Sequence, residues 1–127
     1  MQNNTLQMRF DSYRFDSAIK KNIELLGYKK PTDIQYKAIP PILRGDDVLA
    51  IAQTGTGKTA AFAIPVINML HENKLAGHDY GIRCLVMVPT HELALQEEVV
   101  FNSIAKNTNV TTLCIHGGVD QGRAVRH

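Results

Sequence analysis

The sequence has few of the features that mark secreted, membrane-spanning or disulfide-stapled proteins. Its 2 cysteines among 127 residues, Cys84 and Cys114, both lie in apolar segments. This placement predicts buried thiols in a reducing compartment and no disulfide. No apolar run approaches the roughly 18 residues that a membrane helix requires, and the polar segment Met1–Phe10 predicts no signal peptide. We therefore expect a cytoplasmic location and no membrane partner.

A strong charge of either sign is also absent. The formal net charge is +2, the hydrophobic content 44% and the charged content 20%, which is typical of a soluble globular chain. The length corresponds to one domain or part of one. Residues 1–44 carry eight Lys/Arg against four Asp/Glu. Such a mildly basic region could bind phosphate, but the same composition is typical of an ordinary solvent-exposed surface.

One octapeptide carries recognisable chemistry. Residues 52–59 read AQTGTGKT and lie between two apolar runs, 48–51 and 60–64. A strand, a glycine-rich turn and a helix in this order form a phosphate cradle, and only the first glycine of the usual pattern is replaced, by Ala52. The alternative is a glycine-rich turn that holds a lysine by chance. The predicted nucleotide contacts are Ala52, Gln53, Thr54, Gly55, Thr56, Gly57, Lys58, Thr59 and Ala60.

Two of these residues have predicted catalytic roles. Lys58 can reach the β- and γ-phosphates of a nucleotide, and the hydroxyl of Thr59 can ligate Mg²⁺. Gly55 and Gly57 allow the backbone to turn its N–H groups inward. The positive end of the following helix lies at the same point.

Strand and helix patterns alternate along the chain, which predicts an α/β fold with a parallel sheet. Four helices are predicted. The first is capped by Asp16 or Ser17 and ended by Gly27, and the second is opened by Pro31-Thr32 and stopped by Pro40-Pro41. The third covers 58–70 with a kink at Pro65, and the fourth runs from Pro89-Thr90 to about residue 105. The predicted strands are 48–52, 82–88 and 110–115, with a polar loop over 73–80. The continuous apolar run 82–88 predicts a strand buried on both faces.

Three further segments resemble the DEAD-box RNA helicases. Residues 27–35, GYKKPTDIQ, are similar to the Q motif, and residues 89–96, PTHELALQ, are similar to motif Ia; Gly117-Gly118 is the third. The resemblance implies the N-terminal, incomplete part of a P-loop NTPase domain of the RecA-like class. Residues 1–44 would form a Q-motif helical region and residues 45–127 the front part of the ATP-binding domain. It also implies ATP and Mg²⁺ as cofactors and RNA as a partner, held by its sugar-phosphate backbone with little sequence preference.

The resemblance assigns adenine recognition to the Q motif, and each residue also has a simpler explanation. The amide of Gln35 can donate to and accept from an adenine edge, but Thr32-x-x-Gln35 is also a capping box. Tyr28 matches the position that stacks on the base, although a ring there also suits simple packing. Lys30 matches a basic position near the nucleotide or is a solvated residue. Phe10 matches the isolated upstream aromatic of the motif and is expected to support packing.

The resemblance assigns the RNA contacts to Pro89, Thr90, His91, Gly117 and Gly118. Helix N-terminal N–H groups bind phosphate well. Thr90 as a simple N-cap and Gly117-Gly118 as a plain turn are adequate alternatives. His91 occupies a place where the family usually has arginine, so the permanent charge and the guanidinium fork are lost.

A P-loop ATPase also needs an acidic pair at the end of another strand, where it positions Mg²⁺ and the attacking water. In the family this is the tetrapeptide Asp-Glu-Ala-Asp, which does not occur in this sequence. Glu92 is the nearest candidate, but it lies four residues beyond the predicted strand 82–88 and belongs to a helix. The family's Ser-Ala-Thr motif and its second RecA-like domain are absent too. The family's strand order would also leave 48–52 without a neighbouring strand. We therefore expect the front portion of a helicase that does not hydrolyse ATP by itself.

Two other functions share parts of this pattern. A non-catalytic adenine-nucleotide or RNA-binding module would contain every residue named above and would act through partners. A small P-loop kinase would also contain the phosphate cradle, but Ala52 and the upstream Gln35 element count against it.

Overall fold

The computed structural model describes residues 9–53, 55–75, 77 and 81–117. Four α-helices are assigned in this part of the chain: α1 Ser17–Leu25, α2 Asp33–Leu43, α3 Lys58–Leu75 and α4 His91–Ala105. A short 3₁₀ turn, Phe10–Ser12, precedes them. None of the described helices is both long enough and apolar enough to cross a bilayer.

The helices begin at the side-chain caps that the sequence predicts. Asp16 accepts a hydrogen bond of 2.9 Å from the backbone N–H of Ala18 at the start of α1. Thr32 and Gln35 form a reciprocal capping box at the start of α2, and Thr90 accepts from the N–H of Leu93 at the start of α4. Each cap satisfies a backbone donor that has no partner within its helix.

Two predicted helix ends are wrong. α2 continues through Pro40 and Pro41 to Leu43, although proline lacks the N–H that a helix interior needs. The two prolines lie in the last turns, and Arg44 and Asp46 donate from beyond the helix to their carbonyls. α3 likewise runs to Leu75, five residues past its predicted end and into the predicted polar loop. The polar residues that end α3 are compatible with a helix, so polarity alone does not mark a loop.

One apolar core joins the helices. α2 packs on α3, while α1 and α3 both pack on α4. Its largest fully buried side chains include isoleucines from each helix: Ile19, Ile23, Ile39, Ile64, Ile67 and Ile104. The residues before and after the predicted boundary at residue 44 therefore share one core. The assignment of different functions to residues 1–44 and 45–127 stays a prediction.

The three segments predicted as strands are not assigned as strands in the described residues. Leu49 is 92% exposed, Ile82 89% and Met87 84%, so the prediction that 82–88 is buried on both faces is wrong for this structure. Cys84 is exposed and Cys114 half-buried, which also corrects the expectation of two buried thiols. The physical reason is common to all: a strand is buried only when neighbouring strands and helices cover it.

Candidate functional site

The glycine-rich loop turns at two glycines whose backbone is left-handed. Gly55 and Gly57 have φ angles of 85° and 80°, in the left-handed region that glycine adopts without strain. The hydroxyl of Thr56 donates to the carbonyl of Gln53 at 2.6 Å, which closes the turn. α3 begins immediately afterwards at Lys58, whose side chain is exposed, and Ala60 is buried beneath it. Thr54 lies outside the described residues.

Gln35 joins α2 to this loop. Its amide group donates a hydrogen bond of 3.1 Å to the carbonyl of Gly57, and its Oε1 accepts one of 2.9 Å from the N–H of Thr32. The side chain is buried, with 3% of the residue exposed. A primary amide has two donors and two acceptor lone pairs, so half of its capacity is used by protein. The capping box predicted as the alternative role of Gln35 is therefore present, and its adenine contact stays a prediction.

A concavity of about 510 Å³ lies between α2 and the loop. Its lining comes from two parts of the chain, the first turns of α2 and the segment that enters the cradle. The residues are Thr32, Asp33, Ile34, Lys37, Ile51, Ala52, Gln53 and Thr56. The structure thus brings α2 and the glycine-rich loop to one cleft, and a concavity of this kind is where a small-molecule site is expected.

Thr59 contacts a carboxylate that lies outside the predicted site. Its hydroxyl donates to Oε1 of Glu97 on α4 at 2.9 Å. The second carboxylate oxygen, Oε2, is buried and has no hydrogen-bond partner among the described residues. Thr59 and Glu97 together present oxygen atoms of the kind that Mg²⁺ prefers, so the donor chemistry fits the predicted metal. The described residues contain no cluster of three or more His, Cys, Asp or Glu side chains that could hold a metal unaided.

The aromatic and basic residues of the Q motif lie apart from the lining of this concavity. Phe10 is 4% exposed and its ring centroid lies 6.2 Å from that of Tyr28. Tyr28 is half-buried and packs against the core, while Lys30 is exposed. Phe10 therefore supports Tyr28 from within the core, and the predicted nucleotide contacts of Tyr28 and Lys30 stay predictions.

The predicted RNA-binding segments lie side by side. A Cβ atom placed on Gly117 would lie 3.8 Å from Nε2 of His91, although the two residues are distant in sequence. The rings of His91 and His116 stack with centroids 5.4 Å apart. Pro89, Thr90 and His91 are exposed at the start of α4. Gly118 lies outside the described residues, and the RNA contacts of all five residues stay predictions.

The predicted site lacks Glu97, which contacts Thr59, and it lacks several residues that line the cleft. A signal for it exists in the helical period, because Glu97 falls on the same face of α4 as Leu93, Val100 and Ile104. A carboxylate within an apolar stripe is unusual and calls for a partner. Asp33, Ile34, Lys37 and Ile51 carry no comparable signal, since only the packing of α2 on α3 brings them to the loop.

Known proteins give an independent view of this arrangement. Residues 32–127 match the family described as DEAD/DEAH box helicase. The DEAD-box ATP-dependent RNA helicase RhpA of Helicobacter pylori is 43% identical over 109 residues, which are 86% of this chain and 21% of that protein. The ATP-dependent rRNA helicase RRP3 of Eremothecium gossypii is 42% identical over 120 residues, or 90% of this chain and 24% of that protein. The chain thus spans about a quarter or less of these relatives.

Solved structures share the fold. A DEAD box protein from the hyperthermophile Methanococcus jannaschii superposes with a TM-score of 0.83 at 37% identity, covering 94% of this chain and 31% of that one. A hypothetical ATP-dependent RNA helicase from Sulfolobus tokodaii gives a TM-score of 0.74 at 31% identity, covering 87% and 30%. The predicted RecA-like α/β fold, present in part, is confirmed. The family match over residues 32–127 shows that the chain belongs to the DEAD/DEAH box helicase family.

Proposed function

We propose that this chain is the ATP-binding front part of an ATP-dependent RNA helicase. The observation that carries the proposal is the hydrogen bond from Gln35 to Gly57 at 3.1 Å, which joins α2, the proposed Q-motif helix, to the proposed phosphate cradle. The names of the relatives, which are ATP-dependent RNA helicases, support the same function. Together they favour a helicase over a P-loop kinase.

The residues of the cradle have distinct roles in this proposal. The N–H groups of the loop and of the first turn of α3 bind phosphate oxygens. Lys58 contributes a positive charge at the β- and γ-phosphates, and the hydroxyl of Thr59 holds Mg²⁺, which neutralises charge on those phosphates when bound. Gln35 uses its remaining donor and acceptor for adenine. Tyr28 covers the base, and Lys30 lies at its edge.

RNA is the proposed partner of the turn at the start of α4. Thr90 and His91 present backbone N–H groups and an imidazole there, and Gly117 approaches the same imidazole closely. Exposed N–H groups at the start of a helix and a nearby glycine suit contacts with the sugar-phosphate chain of RNA, and they do not select particular bases. Pro89 belongs to the same proposed surface, and Gly118 is a proposed contact from its place in the sequence alone. The whole protein would have a second RecA-like domain that closes over the same RNA. We also propose a cytoplasmic location for the whole protein.

The test of the proposal is the response of nucleotide binding to Lys58→Ala. This variant should weaken ATP binding more than adenosine binding, because Lys58 is assigned to the terminal phosphates. Lys21→Ala, on an exposed position of α1, is the matched control and should bind like the parent. Equal losses for ATP and adenosine, or no loss, would contradict the phosphate cradle.

An enzyme and a non-catalytic module share every residue described above. The intact mass of the native protein separates them, because a helicase needs the acidic pair and a second domain beyond these residues. A mass close to the 14.1 kDa of this chain would favour the binding module. A mass several times larger would favour the helicase.

A further inference from the structure

Glu97 occupies a position that packing does not explain. The helical period puts this residue on the apolar face of α4, and its contact with Thr59 shows that it points to α3. Oε2 is buried without a hydrogen-bond partner among the described residues. A buried polar oxygen without a hydrogen-bond partner destabilises the folded state. Its presence here is explained if a group from outside the chain interacts with this carboxylate.

The geometry at Thr59 supplies that explanation. A hydroxyl has one proton to donate and two lone pairs to offer. A threonine that ligates a cation uses a lone pair, so its proton must be accepted by another group. Oε1 of Glu97 accepts that proton at 2.9 Å, which leaves the lone pairs of Thr59 free for a metal.

We propose that Glu97 positions the Thr59 hydroxyl for Mg²⁺ and adds a negative charge beside the cation. It is a positioning residue that acts through Thr59, and it lies outside the phosphate-loop motif, on α4. The inference rests on the proposed ATP site but assigns to it a group that the motif does not contain. Hydrogen-bond partners of metal ligands typically change metal affinity by about 10–100-fold when they are removed.

The competing explanation is that the contact only joins α3 to α4. These helices are already joined by the rings of Phe62 and Phe101, whose centroids lie 5.8 Å apart. A purely structural contact would affect nucleotide binding equally with and without metal. A positioning role would affect only the part of the binding that depends on Mg²⁺.

The experiment compares the affinity for a fluorescent ATP analogue in Mg²⁺ with that in EDTA, and the ratio measures the benefit of the metal. Glu97→Met keeps the length of the side chain but removes both oxygens, and it should lower the ratio by about tenfold. Glu97→Gln keeps a proton acceptor without the charge and should give an intermediate ratio. Glu92→Met, on an exposed position of the same helix, should match the parent. The affinity in EDTA should stay the same in all four proteins, which also shows that they are folded.

A double substitution tests whether Glu97 acts through Thr59. In a Thr59→Ala background, Glu97→Met should lower the ratio no further. An unchanged ratio for Glu97→Met, or an equal loss in EDTA and in Mg²⁺, would overturn the inference while leaving the ATP site intact. A parent chain that binds the analogue in neither condition would instead overturn the proposed function, and the inference with it.

Discussion

The amide nitrogen of Gln35 lies 3.1 Å from the carbonyl oxygen of Gly57, and the two residues are 22 positions apart in the sequence. The same carbonyl accepts the first backbone hydrogen bond of α3, from Ala61, also at 3.1 Å. α2, the glycine-rich loop and α3 are therefore joined at one oxygen atom. A change at this point affects the adenine end and the phosphate end of the proposed site together.

Gly57→Ala tests this junction. A Cβ atom at residue 57 would lie 2.4 Å from Nε2 of Gln35, so the glutamine amide must move, and the left-handed backbone adds a strain of roughly 1–2 kcal/mol. Gly45→Ala is the matched control, because its φ is +82° and nothing lies within 4 Å of the added atom. We expect Gly57→Ala to lower both the melting temperature and the ATP affinity more than Gly45→Ala does. Equal effects in the two variants would show that the contact with Gln35 contributes nothing.

Gln35 should also determine which nucleotide binds. The free donor and acceptor of its amide match adenine and oppose guanine, which reverses the donor pattern at its position 6. We expect ATP to bind more tightly than GTP by roughly 1–3 kcal/mol in a competition titration. Similar affinities for the two nucleotides would leave Gln35 as a capping residue only.

Asn22 should be a major contributor to stability. It is 3% exposed, and its amide donates to the carbonyls of Ile104 and Lys106 at 2.7 and 2.6 Å, so it satisfies the end of α4 from α1. Asn22→Ala should lower the free energy of unfolding by about 1–3 kcal/mol, because these carbonyls lose their donor. Glu24→Ala, exposed on the same helix, should change it little. Urea denaturation of the two variants measures the difference, and a similar midpoint shift for both would contradict the role of Asn22.

The parts of the fold that depend on local chemistry could be predicted from the sequence. Asp16, Thr32 and Thr90 cap their helices as predicted because an N-cap needs only a side-chain oxygen and the next turn. The conformation of Gly55 and Gly57 follows from the loop motif in the same way. The end of α2 could not be predicted, because the helix accommodates Pro40 and Pro41 in its last turns and continues to Leu43.

The parts that depend on distant contacts could not be predicted. The burial of residues 82–88 was inferred from their composition, but burial requires covering elements, and Leu85 is 77% exposed. The contact between Thr59 and Glu97 spans 38 positions and arises only when α3 packs on α4. A single sequence shows that Glu97 is out of place on its helix face, but it does not show what the carboxylate meets.

His91 allows the proposed RNA contact to be tested through charge. An arginine at this position would supply the permanent positive charge and the guanidinium fork that suit phosphate. His91→Arg should therefore tighten RNA binding by the whole protein at neutral pH and steepen its salt dependence. Filter binding at several salt concentrations measures both, and an unchanged affinity with an unchanged salt slope would place His91 away from the RNA.

Another prediction concerns catalysis by residues 1–127 alone. These residues should bind ATP without hydrolysing it at a rate that RNA stimulates, because a phosphate cradle holds the nucleotide but does not position water. Glu97 does not replace the acidic pair, since its reachable oxygen is engaged by Thr59. Phosphate release with and without single-stranded RNA measures the rate. Stimulated release that Lys58→Ala abolishes would show that a catalytic carboxylate is present after all.

The same sample should associate in solution. Leu49, Ile51 and Ile82 are each at least 89% exposed, and extended apolar segments with unpaired backbone groups pair readily with other chains. We expect a sizing column with light scattering to give a mass above the 14.1 kDa of one chain, increasing with concentration. Leu49→Lys together with Ile82→Lys should shift the population towards monomer, whereas Lys21→Ala should not. A parent that remains monomeric at high concentration would show that these segments are covered within one chain and do not pair with other chains.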